Sequence, residues 1–155
     1  MSGYYDATIC KNGHTLSAYE EIPGLFCHKC GAESITCCPN CQTNIRGEIC
    51  TNIPMVGYPY KPPAYCFKCG KPFPWTTQAL DVAKELIDDD DNLDALSKEK
   101  LTDLLPDLLV ETPKSNLAAS RLKKALMVAG KFTAEGLRQF AIDFGCELAK
   151  KQLGL

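Results

Sequence analysis

Eight side chains of ligand type fall into four short half-sites: Cys10 with His14, Cys27 with Cys30, Cys38 with Cys41, and Cys66 with Cys69. A two-residue gap between cysteines lets both sulfurs of a tight turn face one point, while the turn's backbone N–H groups donate to the thiolates. Tetrahedral Zn²⁺ takes four N or S ligands, so each ion consumes two half-sites. Four half-sites therefore predict two structural Zn²⁺ ions with no ligand left over. Gly31 and Gly70 directly follow the second cysteine of their pairs, where a positive φ closes the turn. Gln42 holds the matching place after Cys41 and departs from that pattern, and Gly13 serves a similar bend before His14.

The stretch CCPNC at 37–41 holds one cysteine too many. Cys38 and Cys41 give the two-residue gap and enclose Pro39, which suits a turn. Cys37 would leave a three-residue gap, so it is set aside with Cys50 and Cys146, a Cys37 ligand being the alternative. A thioredoxin-like dithiol would open a helix beside a βαβ pattern, whereas these pairs sit in Gly/Pro-rich, strand-like surroundings. A catalytic zinc keeps an open position among His or carboxylate ligands, whereas the expected sets are closed and dominated by cysteine. Sequential pairing predicts a Cys₃His site (Cys10, His14, Cys27, Cys30) and a Cys₄ site (Cys38, Cys41, Cys66, Cys69), two zinc ribbons in tandem. Interleaved pairing would give a cross-braced, RING-like module instead. Short ladders expected at Ala7–Cys10, Gly24–Cys27 and Ser34–Cys37 favour the ribbons.

The elements that must position these ligands are confined to the first half of the chain. Residues 1–76 carry nine of the ten cysteines, both histidines and the only tryptophan, and most of the Gly and Pro. Residues 77–155 are rich in Leu, Ala, Lys and Asp. The expected division is a double zinc-ribbon domain at 1–76 and a helical domain at 77–155, an α+β protein. Loop-rich ribbons bury little apolar surface, and a structural zinc can supply on the order of 10 kcal/mol of folding free energy. The start lacks a basic n-region followed by an apolar stretch, and the longest apolar run, near Ala125–Gly130, is too short to cross a bilayer. The expected compartment is a reducing cytoplasm, where disulfides rarely persist, and no membrane association is expected.

The segments ICKNGH (9–14), FCHKCG (26–31), CPNC (38–41), PPAYCFKCGKPFPW (62–75) and the tail ETPKSNLAASRLKKALMVAGKFTAEGLRQF (111–140) resemble an uncharacterised bacterial zinc-ribbon family, domain of unknown function 2321. The resemblance implies a zinc-ribbon head and a helical tail and brings no established activity. Cys37 and Cys50 lie outside the family's pattern.

In the second half, Thr76 or Thr77 is the expected cap of a helix reaching about Asp88, with Ala79, Leu80, Ala83, Leu86 and Ile87 on one face. Ser97 caps a second, with Leu101, Leu104, Leu105, Leu108 and Leu109 in register and Pro106 breaking or kinking it. Thr112 and Pro113 read as N-cap and N1 of a third helix ending at Gly130, whose face is Leu117, Ala118, Leu122, Ala125, Leu126 and Ala129. Thr133 caps a fourth, from about Ala134 to Gln152, with Leu137, Phe140, Ala141, Phe144 and Leu148 buried. Along it Ala141, Gly145 and Ala149 form a small-residue ridge. That ridge serves either packing inside the bundle or an interface with a partner or second copy. The acidic run Asp88–Asn92 has EF-hand spacing when Asp88, Asp90, Asn92, Asp94 and Glu99 are counted, but Leu93 stands where the sharp turn needs glycine. A solvated acidic loop is the preferred reading.

Charge is segmented beneath an overall −2, with an acidic 77–112 and a basic 113–155. A non-enzymatic zinc-binding interaction or scaffold protein is the expected function, its partner a protein or a second copy engaged through the helical domain. Tyr58, Tyr60, Tyr65, Phe67, Phe73 and Trp75, stiffened by neighbouring prolines, form an aromatic stretch suited to protein recognition. Tyr60, Phe73 and Trp75 are the candidate contact residues, the alternative for Phe73 and Trp75 being that they pack head against tail. Nucleic acid is the alternative partner, through Arg121, Lys123 and Lys124. Against it, the thiolates of two bound zinc sites would leave the head at about −2, and phosphate binding needs positive charge. No Ser/His/Asp set, phosphate loop or catalytic carboxylate pair can be assembled, so no enzyme is expected. The remaining alternative is a RING-like module that docks a conjugating enzyme.

Overall fold

The computed structural model describes residues 3–53 and 59–155, and the chain divides into two compact units, Met1–Thr77 and Gln78–Leu155. The fold is α+β: small antiparallel sheets and turns occupy the first unit and helices the second.

In the first unit β1 (Gly3–Asp6) pairs antiparallel with β5 (Arg46–Cys50). A second sheet has the order β3-β2-β4, formed by β3 (Thr15–Ser17), β2 (Thr8–Cys10) and β4 (Ser34–Ile35). All three residues of β2 are buried, which suits its β-branched Thr8 and Ile9. The Thr8 hydroxyl donates to Glu20 O at 2.9 Å and accepts from the Ile22 N–H at 2.9 Å, so this buried polar group is satisfied on both sides. The expected strand at Ala7–Cys10 thus starts at Thr8, and Ser34–Cys37 shortens to two residues. Gly24–Cys27 contributes only an isolated bridge between Phe26 and Glu33. At Cys27 the backbone N–H is spent inside the tight turn on Ala32 O, whereas Ala7 N–H and Thr36 O both bond Ile45 in place of a longer ladder.

The first unit's apolar core is small. Ala7, Ile9, Ile45, Phe73 and Trp75 pack with the ligand-type Cys38 and Cys66. Phe73 and Trp75 are stacked, with centroids 4.7 Å apart, and the Trp75 indole donates to Pro63 O at 2.9 Å. Both rings are buried, so they pack within the first unit and do not form the exposed contact surface expected of them. Their buried rings are what the head has for a core. Tyr60 is partly buried and donates to Arg46 O at 2.6 Å. Tyr58 lies outside the described residues.

The helices are α1 (Pro74–Asp88), α2 (Ala95–Leu104), α3 (Pro106–Leu109), α4 (Ser115–Val128), α5 (Lys131–Phe144) and α6 (Glu147–Leu153). Ala83, Ile87, Leu101, Leu105, Leu108, Leu122 and Leu137 lie at the centre of the second unit's core. Four helix starts differ from expectation. α1 opens on Pro74, whose fixed φ suits a first helical position, and the Thr76 hydroxyl donates to Ala64 O at 2.7 Å. α2 is capped by Asp94, which accepts from the Ser97 N–H at 2.7 Å; Ser97 is the recipient of the cap. α4 begins after a turn in which the Thr112 hydroxyl accepts from Lys114 N–H and Ser115 Oγ accepts from Thr112 N–H. Its buried stripe runs through Ser115, Ala118, Ala119 and Leu122, leaving Leu117 exposed. Thr133 lies buried within α5, its hydroxyl 3.3 Å from Leu86 O. Pro106 does separate α2 from α3.

The expected last helix is two. Gly145 and Cys146 leave helical geometry with ψ of 146° and 160°. The Cys146 N–H donates to Leu108 O at 2.8 Å, a tertiary bond that takes the amide a continuous helix would use. The helix break removes the ridge expected from Ala141, Gly145 and Ala149, and Ala141 and Ala149 are buried within the unit. In the acidic run, Asp90 is buried and accepts from Asn92 N–H at 2.7 Å and Gly130 N–H at 2.8 Å. It ties the end of α1 to the α4–α5 corner. No helix among the described residues is long and apolar enough to cross a membrane.

Candidate metal centres

Three turns repeat one hydrogen-bond pattern. The first cysteine's carbonyl accepts from the N–H four residues further on: Cys27 from Gly31, Cys38 from Gln42, Cys66 from Gly70. Its N–H donates to the carbonyl five further on, at Ala32, Thr43 and Lys71. The residue before it bridges the residue seven beyond, as in Phe26–Glu33, Cys37–Asn44 and Tyr65–Pro72. Cys37 therefore occupies the register position that an aromatic fills in the other two turns. Its Sγ lies 3.3 Å from Gln42 Oε1 and outside both clusters. Gly31 and Gly70 close their turns at φ of 72° and 70°, and Gln42 takes the same left-handed conformation at 61°. The fourth turn differs: the Cys10 N–H donates to His14 O, and Gly13, at φ 90°, donates to Cys10 O.

These turns converge in two groups, Cys10, His14, Cys27 and Cys30, and Cys38, Cys41, Cys66 and Cys69, with ligand atoms within 4.8 Å of one another in each. The half-sites are joined in sequential order, so the cross-braced arrangement is absent from these groups. Sulfur pairs stand 3.8 Å apart for Cys10–Cys30, 3.7 Å for Cys38–Cys69 and 3.6 Å for Cys41–Cys66. His14 Nδ1 is 3.5 Å from the sulfurs of both Cys10 and Cys27. A tetrahedron with metal–sulfur bonds of about 2.3 Å has sulfur–sulfur edges of about 3.8 Å, and a nitrogen ligand at about 2.0 Å shortens its edges to about 3.5 Å. A disulfide would need about 2.05 Å. The donor sets fit tetrahedral ions, and His14 would bind through Nδ1.

The two cysteines of a pair stand in different electrostatic surroundings. Burial pushes the Cys10 thiol up and Cys38 up to about 11. The second cysteines face the turn's donors. The Ala32 N–H, helped by the Asn12 amide 3.4 Å away, lowers Cys30 to about 6. The Thr43 hydroxyl, 3.3 Å from Cys41 Sγ, lowers Cys41 to about 6, and the Lys71 N–H lowers Cys69. In the Cys₄ cluster the buried Cys38 and Cys66 stand opposite the less buried Cys41 and Cys69, and a bound cation would stabilise all four as thiolates. Asn12 and Thr43 were missed at the sequence level. Position in the turn is their only signal.

Other expected site residues lie elsewhere. Arg121, Lys123 and Lys124 are exposed on α4. His28 and Phe26 are exposed on the Cys27 turn. Phe67, on the Cys66 turn, lies under the Arg46 guanidinium at 3.7 Å, and Tyr4 holds the same group at 4.6 Å. That stack fastens the β1–β5 sheet to the last turn. Cys50 lies in β5, and Cys146 is buried in the helical core.

Paired Cys-rich turns ahead of a helical bundle define the class: a small α+β protein with two closed sites that could hold metal ions. The chain belongs to the family described as uncharacterized protein conserved in bacteria (DUF2321), whose model matches residues 3–153. No curated protein and no solved structure matches the chain.

Proposed function

We propose that this is a non-enzymatic binding or scaffolding protein of the bacterial cytoplasm, with two structural Zn²⁺ ions in place of a large core. One observation carries the reading: each cluster offers four side-chain donors at tetrahedral spacing. An ion there is coordinatively saturated and has no position for substrate or activated water. Zinc is favoured by the Cys₄ and Cys₃His donor sets, since sulfur with imidazole nitrogen suits its borderline softness. The recognition surface is carried by an aromatic that remains outside: Phe26 projects from the Cys27 turn with 69% of its surface exposed. Rigid turns that hold aromatics in solvent lower the entropic cost of binding.

Affinity capture from the native host tests this, using wild type beside a Phe26→Ser variant checked to retain both ions. The reading expects a protein partner that survives nuclease treatment and is lost with the variant. Recovery of nucleic acid alone overturns it. A nucleic-acid role draws on one observation, the exposed Arg121, Lys123 and Lys124, none of which forms an ion pair among the described residues. Its signature would be steeply salt-dependent binding abolished by reversing the charges of Lys123 and Lys124.

A further inference from the structure

Within the helical unit, a groove runs between α2 and α4. One part of it holds about 390 Å³ over Leu101, Leu104 and Ala125, lined also by Lys100, Arg121 and Lys124 and, at the α2 start, by Asp94. A second hollow of about 250 Å³ shares Lys100, Leu104 and Arg121 and continues the groove toward Lys114, where Asp103 and Asp107 also line it and leave the first hollow the more basic of the two. Arg121 and Lys124 are one helical turn apart and have no ion-pair partner among the described residues. An apolar floor beneath unpaired cations suits a helix that offers an apolar knob beside acidic side chains.

The same unit carries such a helix. The outer face of α1 exposes Asp81, Glu85 and Asp88 with Lys84 beside them, none in an ion pair among the described residues. Val82, 58% exposed, flanks Asp81 and Glu85 on that face. Residues i, i+3 and i+4 of a helix share one side, so Asp81, Val82 and Glu85 can engage a groove together. The acidic and basic segments of the sequence are thus displayed as an acidic ridge and a basic-edged groove on one unit.

We propose that the α2–α4 groove receives the acidic face of α1 from a second copy of the chain. Val82 sits over Leu101 and Leu104 while Asp81 and Glu85 meet Arg121 and Lys124. Reciprocal docking about a two-fold axis makes the contact twice and closes the assembly. The proposal rests on reading the helical unit as an interaction element and names its partner.

Sedimentation velocity of the reduced, metal-loaded full chain tests it, with two charge-reversed double variants: Arg121→Glu/Lys124→Glu and Asp81→Lys/Glu85→Lys. All four positions are exposed, and circular dichroism checks that both variants fold. Wild type is expected to dimerise with concentration, and more weakly, by about tenfold or more, when salt is raised. Each variant alone is expected to be monomeric, because like charges then face each other. An equimolar mixture of the two is expected to recover the dimer, since both contacts become complementary again. A monomeric wild type, a variant that still self-associates, or a mixture that stays monomeric overturns the proposal. A monomeric wild type that still captures a protein partner leaves the broader function standing and removes only the second copy.

Discussion

Gly13 lies directly against Trp75: a β-carbon built on Gly13 would come within 2.9 Å of Trp75 Cβ. The glycine stands between the ligand-type Cys10 and His14, and the indole belongs to the core that holds Cys38 and Cys66. One close approach therefore joins the Cys₃His turn to the small core beside the Cys₄ cluster. Gly13→Ala is expected to cost on the order of 2 kcal/mol, combining left-handed strain with the clash. Gly24→Ala is the control, because Gly24 has φ 78° and nothing within 4 Å of the added carbon. Urea unfolding should show a clearly larger loss for Gly13→Ala than for Gly24→Ala.

Gln42 takes a glycine's conformation without being glycine. The left-handed region costs an ordinary residue roughly 1–2 kcal/mol, so Gln42→Gly is expected to leave stability unchanged or raise it by up to about 1 kcal/mol. The reverse change in the sister turn, Gly70→Gln, is expected to lower it by about 1 kcal/mol. Thermal denaturation of the metal-loaded protein measures both.

The ligand set was legible because coordination chemistry is written in local spacing: C-x-x-C turns with glycine behind them need little tertiary information. The helical faces were legible for a similar reason, apolar residues returning every three or four positions. What escaped depends on atoms distant in sequence. Nothing near Gly145 announces that Leu108 O will capture the Cys146 amide and split the last helix. Burial of Phe73 and Trp75 follows from how little else the head has to bury, and their composition alone reads equally well as an exposed surface. The β1–β5 pairing joins segments about forty residues apart, and the Arg46 stack on Tyr4 and Phe67 has no sequence signal.

Asp90 shows the same non-local logic in the helical unit. The Thr133 hydroxyl and the N–H groups of Asn92 and Gly130 hold its carboxyl below the usual range. Because the folded value is depressed, its stabilisation is complete above the unfolded carboxylate pKa and is lost as pH falls through the folded one. Asp90→Ala is expected to cost about 2 kcal/mol at neutral pH, through donors left unpaired. The gap between variant and wild type should narrow as the solution is acidified, measured by denaturant titration at several pH values.

Spare and ligand cysteines should separate cleanly. Cys37→Ser and Cys50→Ser lie outside both clusters and are expected to leave the metal content unchanged. Cys41→Ser or Cys69→Ser is expected to lose the ion of the Cys₄ site and leave the other bound. Native mass spectrometry of each variant gives the count.

The most direct test is the metal content of the reduced, folded wild type by elemental analysis, followed by chelation. Two tetrahedral ions per chain, and a head that unfolds when they are withdrawn while the helical signal persists, are the expected result. A well-folded, reduced chain carrying fewer than two ions would contradict the account, as would a sulfur–sulfur bond within either cluster.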